Sequence, residues 1–187
     1  MTRTVPVDLG DRSYRVRVGA GLLDELGEAV AALPRQTSAV VVSEDTVAGL
    51  YGQRAMASLE AAGVSASLIR FRPGEANKTL QTASDVLDAL FAVDPPVDRA
   101  TVIVPLGGGV PGDLGGFVAA TALRGLRCVQ CPTTLLADVD ASVGGKTAVD
   151  HPAGKNLIGA FHQPAAVVID VETLRTLPRR ELVGGLA

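Results

Sequence analysis

The stretch Thr-Val-Ile-Val-Pro-Leu-Gly-Gly-Gly-Val-Pro-Gly-Asp, residues 101–113, carries the clearest structural pattern of the chain. Its first six residues form a near-continuous apolar run, which is typical of a parallel strand covered on both faces. Gly107, Gly109 and Gly112 then fit G-x-G-x-x-G, directly after this strand and at the start of a predicted helix. Glycines there let the backbone approach a pyrophosphate, whose charge a helix N-terminus favours. The motif alone indicates either a dinucleotide loop or a tight structural turn.

Two details differ from the usual Rossmann fingerprint. The motif begins only at Gly107, and no acidic residue ends the next predicted strand, where Pro132 stands instead. An acidic residue at that point normally binds a ribose hydroxyl. Asp113 follows the last glycine directly, where it is better placed to accept a hydrogen bond from a hydroxyl or an amide than to contact phosphate.

Outward from this stretch, apolar runs that suit strands alternate with segments of helical periodicity. Residues 5–9 and 14–18 flank a Gly-Asp-Arg-Ser turn and predict a β-hairpin. The alternation predicts an α/β fold, a Rossmann-like doubly wound domain with a parallel sheet. The predicted strands are residues 39–42, 64–71, 101–106, 127–131 and 165–169, and the predicted helices are residues 22–33, 43–62 and 79–93, with another after the glycine loop.

The composition excludes several classes of protein. The 187 residues, 47% of them hydrophobic, suit one domain or one domain plus a fragment of a second. A net charge of −3 with no Trp, two Tyr and four Phe argues against a nucleic-acid partner. Residues 100–112, a long uncharged stretch, are too short and too glycine-rich to cross a bilayer, and residues 1–9 lack the apolar segment of a signal peptide. We therefore expect a cytoplasmic protein with no membrane partner.

The two cysteines, Cys128 and Cys131, form a C-x-x-C motif inside a predicted strand. Positions three apart on a strand point to opposite faces of a sheet, so the two thiols cannot converge on one ligand. The motif therefore predicts two reduced, structural thiols and no metal site.

Lysine is rare in this chain: of the 17 basic residues, 14 are Arg and three are Lys. Lys78, Lys146 and Lys155 all lie in segments of small or polar residues. A lysine ammonium can act as a point donor where a planar guanidinium does not fit. The distribution alone is equally consistent with three functional lysines and with three surface lysines in loops.

A polar stretch, residues 133–162, interrupts the otherwise apolar chain and predicts a working surface. Within it Gly-Lys-Thr at 145–147 imitates the end of a P-loop, but Asp140 stands where that motif requires glycine. His151 and His162, the only histidines, do not have zinc-site spacing, and there is no G-x-S-x-G of a serine hydrolase.

These residues resemble the 3-dehydroquinate synthase family over nearly the whole chain. The resemblance rests on Leu-Gly-Gly-Gly-Val-Pro-Gly-Asp (106–113), on Arg-Gly (124–125) and above all on the long motif from Pro132 to Pro164. Pro-Gly-Glu (73–75) with Lys78, Thr-Leu-Arg-Thr-Leu-Pro (173–178) and Arg-Glu-Leu (180–182) extend it. Three positions depart from the family pattern, namely Pro73, Pro111 and Asp138.

The resemblance implies an enzyme of the shikimate pathway. Its family converts 3-deoxy-D-arabino-heptulosonate 7-phosphate to 3-dehydroquinate and phosphate, with NAD bound in an N-terminal α/β domain and oxidised and reduced within each turnover. It also implies a homodimer and a divalent metal, zinc or cobalt, in a helical C-terminal domain. The family's metal ligands, a Glu and two His, match no residue of this sequence.

The resemblance also assigns roles to individual residues. Positions that match substrate-side or catalytic residues are Asp140, Lys146, Lys155, Asn156 and Arg124, the last reaching into the partner's site across the dimer. Positions that match NAD contacts are Gly74, Glu75, Lys78, Gly109, Val110, Pro111, Gly112, Asp113, Thr133, Thr134, Lys146, Lys155, Thr173, Leu174, Arg175 and Thr176. All three lysines are included, which favours the functional interpretation of their distribution.

The resemblance divides the chain into an NAD-binding domain, residues 1–177, and the start of a helical domain, residues 178–187. We expect this chain alone to be inactive, because the metal half is missing. Two alternatives stay open: a related sugar-phosphate cyclase that makes a valiolone or an aminodehydroquinate, and a non-catalytic NAD-binding remnant. Lys-Asn at 155–156 and Ala-Phe-His-Gln-Pro at 160–164 favour the quinate branch.

Overall fold

The computed structural model of the protein describes residues 2–186, which form two β-sheets. Seven strands build the larger sheet: β1 (Arg3–Val7), β2 (Tyr14–Gly19), β3 (Ser38–Glu44), β4 (Ser65–Phe71), β5 (Val102–Gly107), β6 (Arg127–Pro132) and β9 (Ala166–Asp170). Their order is β1-β2-β9-β6-β5-β3-β4, with β1 antiparallel to β2 and every other neighbouring pair parallel. The smaller sheet is an antiparallel hairpin of β7 (Lys146–His151) and β8 (Gly154–Phe161).

Helices cover both faces of the larger sheet. They are α1 (Leu26–Ala31), α2 (Asp45–Val47), α3 (Gln53–Ala61), α4 (Leu80–Phe91), α5 (Gly109–Thr121) and α6 (Arg179–Gly184). Alternate residues of β3 point to opposite faces, so Val41 packs with α1 and α3 whereas Val40 and Val42 pack with α4 and α5. This three-layer arrangement confirms the predicted doubly wound α/β fold. Among the described residues no helix is long and apolar enough to cross a membrane.

The approach of α5 to its neighbours requires two glycines. A Cβ atom at Gly115 would lie 2.9 Å from the Pro105 side chain of β5, and one at Gly116 would lie 2.5 Å from Thr147 Cγ2 of β7. Real Cβ atoms do not come this close to such neighbours. The glycine-rich sequence of α5 therefore lets the helix pack closely between the sheet and the hairpin.

The carboxyl ends of β3, β5, β6 and β9 meet at one edge of the sheet. The connection from β3 to β4 runs through α2 and α3 on one face, and the connection from β4 to β5 runs through α4 on the other face. The chain therefore changes direction between β3 and β5, which is the point where ligands bind in open α/β sheets.

Several sequence predictions need correction. The predicted helix 22–33 is a 3-10 turn, Leu22–Glu25, followed by the short helix α1. The helix predicted over 43–62 begins two residues later, because Ser43 stays on β3 and donates a hydrogen bond to the Leu106 carbonyl at 2.8 Å. The glycine loop is shorter than predicted, since α5 already begins at Gly109. The polar stretch 133–162, for which no regular structure was predicted, contains the β7–β8 hairpin.

The two cysteines lie on opposite faces of the sheet, as the sequence predicts. Cys128 packs on the α4 and α5 side of β6 and Cys131 on the α1 and α3 side, and both are free thiols. Burial raises the pKa of each thiol to about 12, which keeps both in the unreactive protonated form.

Candidate functional site

The N-terminus of α5 forms an open, polar cradle at the end of β5. Gly107 has φ +151°, and a Cβ there would lie 2.5 Å from Pro111 Cγ, so the bend into the helix requires glycine. Gly108 is the N-cap and supplies no side-chain hydrogen bond. A Cβ at Gly109 would meet only Ala141 Cβ, at 4.0 Å. The backbone at Gly109 is therefore open to a ligand, and the partial positive charge at the N-terminus of this helix of 13 residues favours an anionic one.

The next strand places two predicted threonines beside this cradle. The backbone amide of Thr133 donates to the Gly107 carbonyl at 2.9 Å. Thr134 Oγ1 accepts from the Ala137 amide at 3.2 Å and so begins a turn that continues as a π-helix over Ala137–Ala141. The Thr134 methyl group lies 3.0 Å from where a Gly108 Cβ would be. The cradle is therefore lined by glycines of the α5 N-terminus on one side and by the two threonines on the other.

Lys78 is the most deeply buried charge of the site, with only 5% of its side chain exposed. Its Nζ atom donates to Asp113 Oδ2 at 3.1 Å and to Asn156 Oδ1 at 2.6 Å. Glu75 Oε1 and Asp150 Oδ1 each lie 3.7 Å from the same nitrogen. Because a buried ammonium group must be paired, this set draws the loop after β4, the helix α5 and the hairpin together. We call these five residues the Lys78 cluster.

The other two lysines lie at the surface of the same region. Lys155 Nζ donates to Glu75 Oε1 at 2.8 Å, and Lys146 Nζ donates to Asp140 Oδ1 at 3.0 Å. Their side chains are 71% and 60% exposed, so each can leave its carboxylate for a ligand at little cost. The hydrogen bond with Glu75 raises the pKa of Lys155, which therefore stays charged near neutral pH.

A cleft of about 430 Å³ lies between α5, the π-helical turn and the hairpin. Asp113, Asp140, Lys146 and Asn156 line it, beside apolar residues of β8 such as Phe161. The volume lies within the range typical of small-molecule sites. Asp113 is partly desolvated there: burial raises the pKa of its carboxyl, and the hydrogen bond from Lys78 opposes that rise.

The turn beside the cradle contains a second buried carboxyl, that of Asp138. Its Oδ1 atom, like the Oγ atom of Ser142, has no hydrogen-bond partner among the described residues. Burial raises the pKa of Asp138 to about 7. The resemblance leads us to expect a neutral polar residue at this position, and Asp138 gives the turn a protonatable group instead.

Other predicted site residues lie near the cradle but outside the cleft. Gly74 has φ +101°, and its amide donates to Glu44 Oε2 at 3.4 Å, which ties the loop after β4 to the end of β3. Val110 is half-buried in the first turn of α5 and Pro111 is buried there. The Gly112 carbonyl accepts from Gln130 Nε2 at 3.1 Å, so its polar group is already occupied.

The 3-10 helix Val171–Thr176 follows β9 at the same sheet edge, away from the Lys78 cluster. Thr173 is buried, its Oγ1 donates to the Asp170 carbonyl at 2.8 Å, and its own carbonyl accepts from Tyr51 Oη at 3.1 Å. Thr176 also contacts the Tyr51 hydroxyl, Leu174 is half-buried, and Arg175 is exposed. An NAD contact from this segment stays a prediction.

Arg124 is exposed and follows Leu123 in left-handed backbone, with φ +66° and +49° respectively, before Gly125 at φ +121°. Two successive non-glycine residues in this region are strained, and such strain often occurs at functional sites. Arg124 does not line the cleft of its own chain. Its predicted role in a partner's site stays a prediction.

The described residues do not fit a metal. Within residues 2–186 no three His, Cys, Asp or Glu side chains lie close enough together to hold an ion. The histidines have other contacts: His162 Nε2 shares a hydrogen bond of 2.8 Å with the Leu126 carbonyl, and His151 Nδ1 accepts from the Ala153 amide.

Asp150 is the functional candidate that the sequence did not indicate. It lies at the end of β7 and joins the Lys78 cluster through a carboxylate that also accepts from the Asn156 amide at 2.8 Å. The only available signal was its place before the turn His-Pro-Ala-Gly, residues 151–154, which brings 150 and 156 face to face if that turn closes a hairpin.

Comparison with known proteins places this site in a family. Residues 68–184 match the family model described as 3-dehydroquinate synthase N-terminal. The chain is 53% identical over 188 residues to the 3-dehydroquinate synthase of Caulobacter vibrioides, covering all of this chain and 50% of that protein. It is also 53% identical to the Symbiobacterium thermophilum enzyme, covering 97% of this chain and 50% of the relative. The chain thus spans about half the length of these relatives.

Solved structures of related cyclases have the same fold. A 2-deoxy-scyllo-inosose synthase complexed with carbaglucose-6-phosphate, NAD+ and Co2+ superposes with a TM-score of 0.88 at 28% identity, covering 98% of this chain and 49% of that one. A 2-epi-5-epi-valiolone synthase from Streptomyces hygroscopicus with NAD+ and Zn2+ bound superposes with a TM-score of 0.80 at 35% identity, covering 96% and 49%. By its sequence match and its fold, the chain belongs to the 3-dehydroquinate synthase family.

Proposed function

We propose that this chain is the cofactor-binding half of a 3-dehydroquinate synthase, with residues 1–177 as the NAD-binding domain and residues 178–187 as the start of a helical domain. The observation that carries the proposal is that Asp113, in the N-terminal part of α5, and Asn156, on β8, both bind Lys78 and both line one cleft beside the α5 cradle. The cradle offers amides to a pyrophosphate, and the cluster offers fixed donors and acceptors to the ribose and nicotinamide side.

In this proposal the site residues bind and orient; they do not form covalent bonds. When bound there, NAD would supply a hydride acceptor and donor for a ring hydroxyl of the heptulosonate phosphate. Lys78 and Asp113 fix the polar side of the cofactor from the buried wall. Lys146 and Asn156 line the cleft, and Lys155 lies at the surface beside Glu75; their donors suit the hydroxyl and phosphate groups of the substrate.

Arg124 completes the proposal through a second copy of the chain. Its exposed guanidinium stands on a strained loop and has no role inside its own cleft. Arginine binds phosphate by two parallel hydrogen bonds, which suits a group that reaches a partner's substrate. The proposal includes a homodimer with shared sites for this reason.

The described residues do not supply the ligands of a metal site. The solved cyclases hold Co2+ or Zn2+ according to their descriptions, and the described part of this chain offers no matching group of ligands. We therefore expect the 187-residue chain to bind NAD and not to complete the reaction.

Two measurements on the purified chain test the proposal. Calorimetric titration should show one NAD site, and absence of heat at millimolar NAD would contradict it. Phosphate release from 3-deoxy-D-arabino-heptulosonate 7-phosphate, with NAD and zinc supplied, should not rise above background. The protein for this assay should come from a host that lacks its own enzyme, so that turnover, if found, belongs to the chain and overturns the expected inactivity.

A second cyclase activity has one observation in its favour, the 35% identity to a valiolone synthase. The 53% identity to 3-dehydroquinate synthases favours the quinate reaction. A full-length protein that carries this chain would distinguish the two by its product, 3-dehydroquinate or a valiolone, when each family's sugar phosphate is supplied.

A further inference from the structure

We propose that Asp150 is a positioning residue of this cleft, one that acts through Lys78 and Asn156. The inference rests on the proposed function in one respect, namely that the cleft binds NAD. Asp150 is not among the site residues assigned by resemblance. Its contacts form where the hairpin packs against the loop after β4.

Asp150 contacts both partners of a single hydrogen bond. Its Oδ1 atom accepts from the Asn156 amide at 2.8 Å and lies 3.7 Å from Lys78 Nζ. Its backbone amide donates to the Lys78 carbonyl at 2.7 Å. Lys78 Nζ in turn donates to Asn156 Oδ1 at 2.6 Å. The three residues form a closed ring of contacts in which the Asp150 carboxylate faces a backbone amide and a buried ammonium group together.

The backbone of Asn156 explains why an acceptor is needed. Asn156 has φ +56°, the left-handed region that asparagine tolerates better than most residues but that still costs free energy. The hydrogen bond from its amide to Asp150 holds this conformation, and the conformation aims the Asn156 side chain at Lys78. Without the carboxylate, the Asn156 side chain loses the geometry that it presents to the cleft.

The hydrogen-bond capacity of Lys78 supports the same role. An ammonium group has three donors, and Asp113 and Asn156 occupy two of them. The nearest remaining carboxylates are Asp150 and Glu75, both at 3.7 Å, which is too long for a hydrogen bond but close enough for strong attraction in a buried site. Because Lys155 binds Glu75, Asp150 is the remaining carboxylate whose negative charge stabilises the Lys78 ammonium group.

The experiment compares Asp150→Asn, which keeps an oxygen acceptor but removes the charge, with Asp150→Ala, which removes both. Calorimetry with NAD is expected to show Kd increases of about 3-fold for the first and about 10-fold or more for the second. Asp88→Asn, an exposed aspartate of α4, is the control and should leave Kd unchanged. Equal Kd values for all four proteins would overturn the proposal.

A double-mutant cycle separates positioning from general structural support. In a Lys78→Met background the effect of Asp150→Asn should fall below about 2-fold, because the charge has lost the group on which it acts. An undiminished 3-fold effect would overturn the role through Lys78. If Lys78→Met does not fold, Asn156→Gly replaces it in a cycle with Asp150→Ala, since glycine accepts φ +56° while removing the amide side chain.

A readout without nucleotide separates this proposal from the proposed function. Hydrogen exchange of the Asn156 amide should quicken about 10-fold or more in Asp150→Ala and stay near the wild-type rate in Asp150→Asn. If the wild-type chain binds no NAD, the proposed function fails while this exchange pattern still supports the positioning of Asn156. An Asn156 amide that exchanges equally fast in all variants would overturn the positioning itself.

Discussion

The Lys78 cluster and the π-helical turn Ala137–Ala141 border the same cleft, and both bury a carboxyl group, but they treat it differently. In the cluster, Asp113 accepts from Lys78 at 3.1 Å. In the turn, the Oδ1 atom of Asp138 has no partner among the described residues. Burial raises the pKa of both carboxyls, to about 7 for Asp138, and for Asp113 the hydrogen bond from Lys78 opposes the rise. The two carboxyl groups therefore differ by one ammonium group: Asp113 binds Lys78, whereas Asp138, with a pKa of about 7, has no partner for its Oδ1 atom among the described residues.

The first way to break this contrast is to remove the ammonium group. Lys78→Met should have the largest effect, lowering the free energy of unfolding by about 3–5 kcal/mol at pH 7, because it leaves buried carboxylates uncompensated. It should also weaken NAD binding about 10-fold or more, to a Kd that calorimetry still measures. Denaturant unfolding and calorimetry check the two effects. A stability loss below about 1 kcal/mol would mean that water already reaches this cluster.

The second way is to remove the uncompensated buried charge of Asp138, since Asp138, unlike Asp113, has no ammonium group beside it within residues 2–186. The pKa of Asp138 is higher in the folded protein than in the unfolded chain, so between these two values the folded protein binds a proton that the unfolded chain does not. The free energy of unfolding therefore falls as pH rises from about 4 to about 7 and is constant above that. Asp138→Asn should remove this fall and stabilise the protein by about 1–3 kcal/mol at pH 8. At pH 4 the two proteins should be nearly equal.

Thermal unfolding at pH 4, 6 and 8 measures this difference, with the exposed Asp88→Asn as control. Burial raises the pKa of the nearby Cys131 thiol to about 12, with smaller contributions from Asp170 and Asp138, so this thiol stays neutral across the three pH values. A gain of equal size at all three pH values would show that packing, not the charge of Asp138, sets the stability of the turn.

The third way asks whether the turn and α5 form one crevice. Gly109→Val would put a branched side chain into the space between Gly109 and Ala141, where the cradle is otherwise open. NAD affinity should fall about tenfold or more, on the order of 1.4 kcal/mol. Gly184→Val, at the end of α6 where a Cβ meets nothing within 4 Å, is the matched control. An unchanged affinity in Gly109→Val would place the ligand elsewhere.

How far the sequence predicts this contrast depends on distance along the chain. Residues 101–113 predict β5, the glycine bend and a helix from local pattern alone, and these are confirmed apart from the start of α5. The Lys78 cluster joins residues 35 and 78 positions apart, and no local pattern encodes such a convergence. Only the rarity of lysine indicated that Lys78 was special, and the family resemblance was needed to choose between its two interpretations.

The hairpin shows why the rest was missed. On β7, Thr147 and Val149 alternate with more exposed residues, which is the ordinary mark of a half-buried strand. On β8 most residues are exposed, so the period of two that reveals a strand is absent there. Because only β7 has the alternation of a strand, the sequence did not predict a hairpin in the polar stretch. The position of Asp150 beside Lys78 was therefore not predicted either.

The smallest expected effect sharpens the contrast between buried and exposed lysines. Lys155→Met removes an ion pair with Glu75 whose lysine side chain is 71% exposed, and such surface pairs contribute little to stability. The variant should therefore unfold at nearly the same denaturant concentration as the wild type and bind NAD within about threefold, although the same substitution at Lys78 is expected to be severe. Adding 0.5 M NaCl should shrink even this difference, because salt screens exposed charges far more than buried ones. A loss in Lys155→Met that matches Lys78→Met and resists salt would show that Glu75, which both lysines face, is the true anchor of the cluster and that burial of Lys78 contributes little.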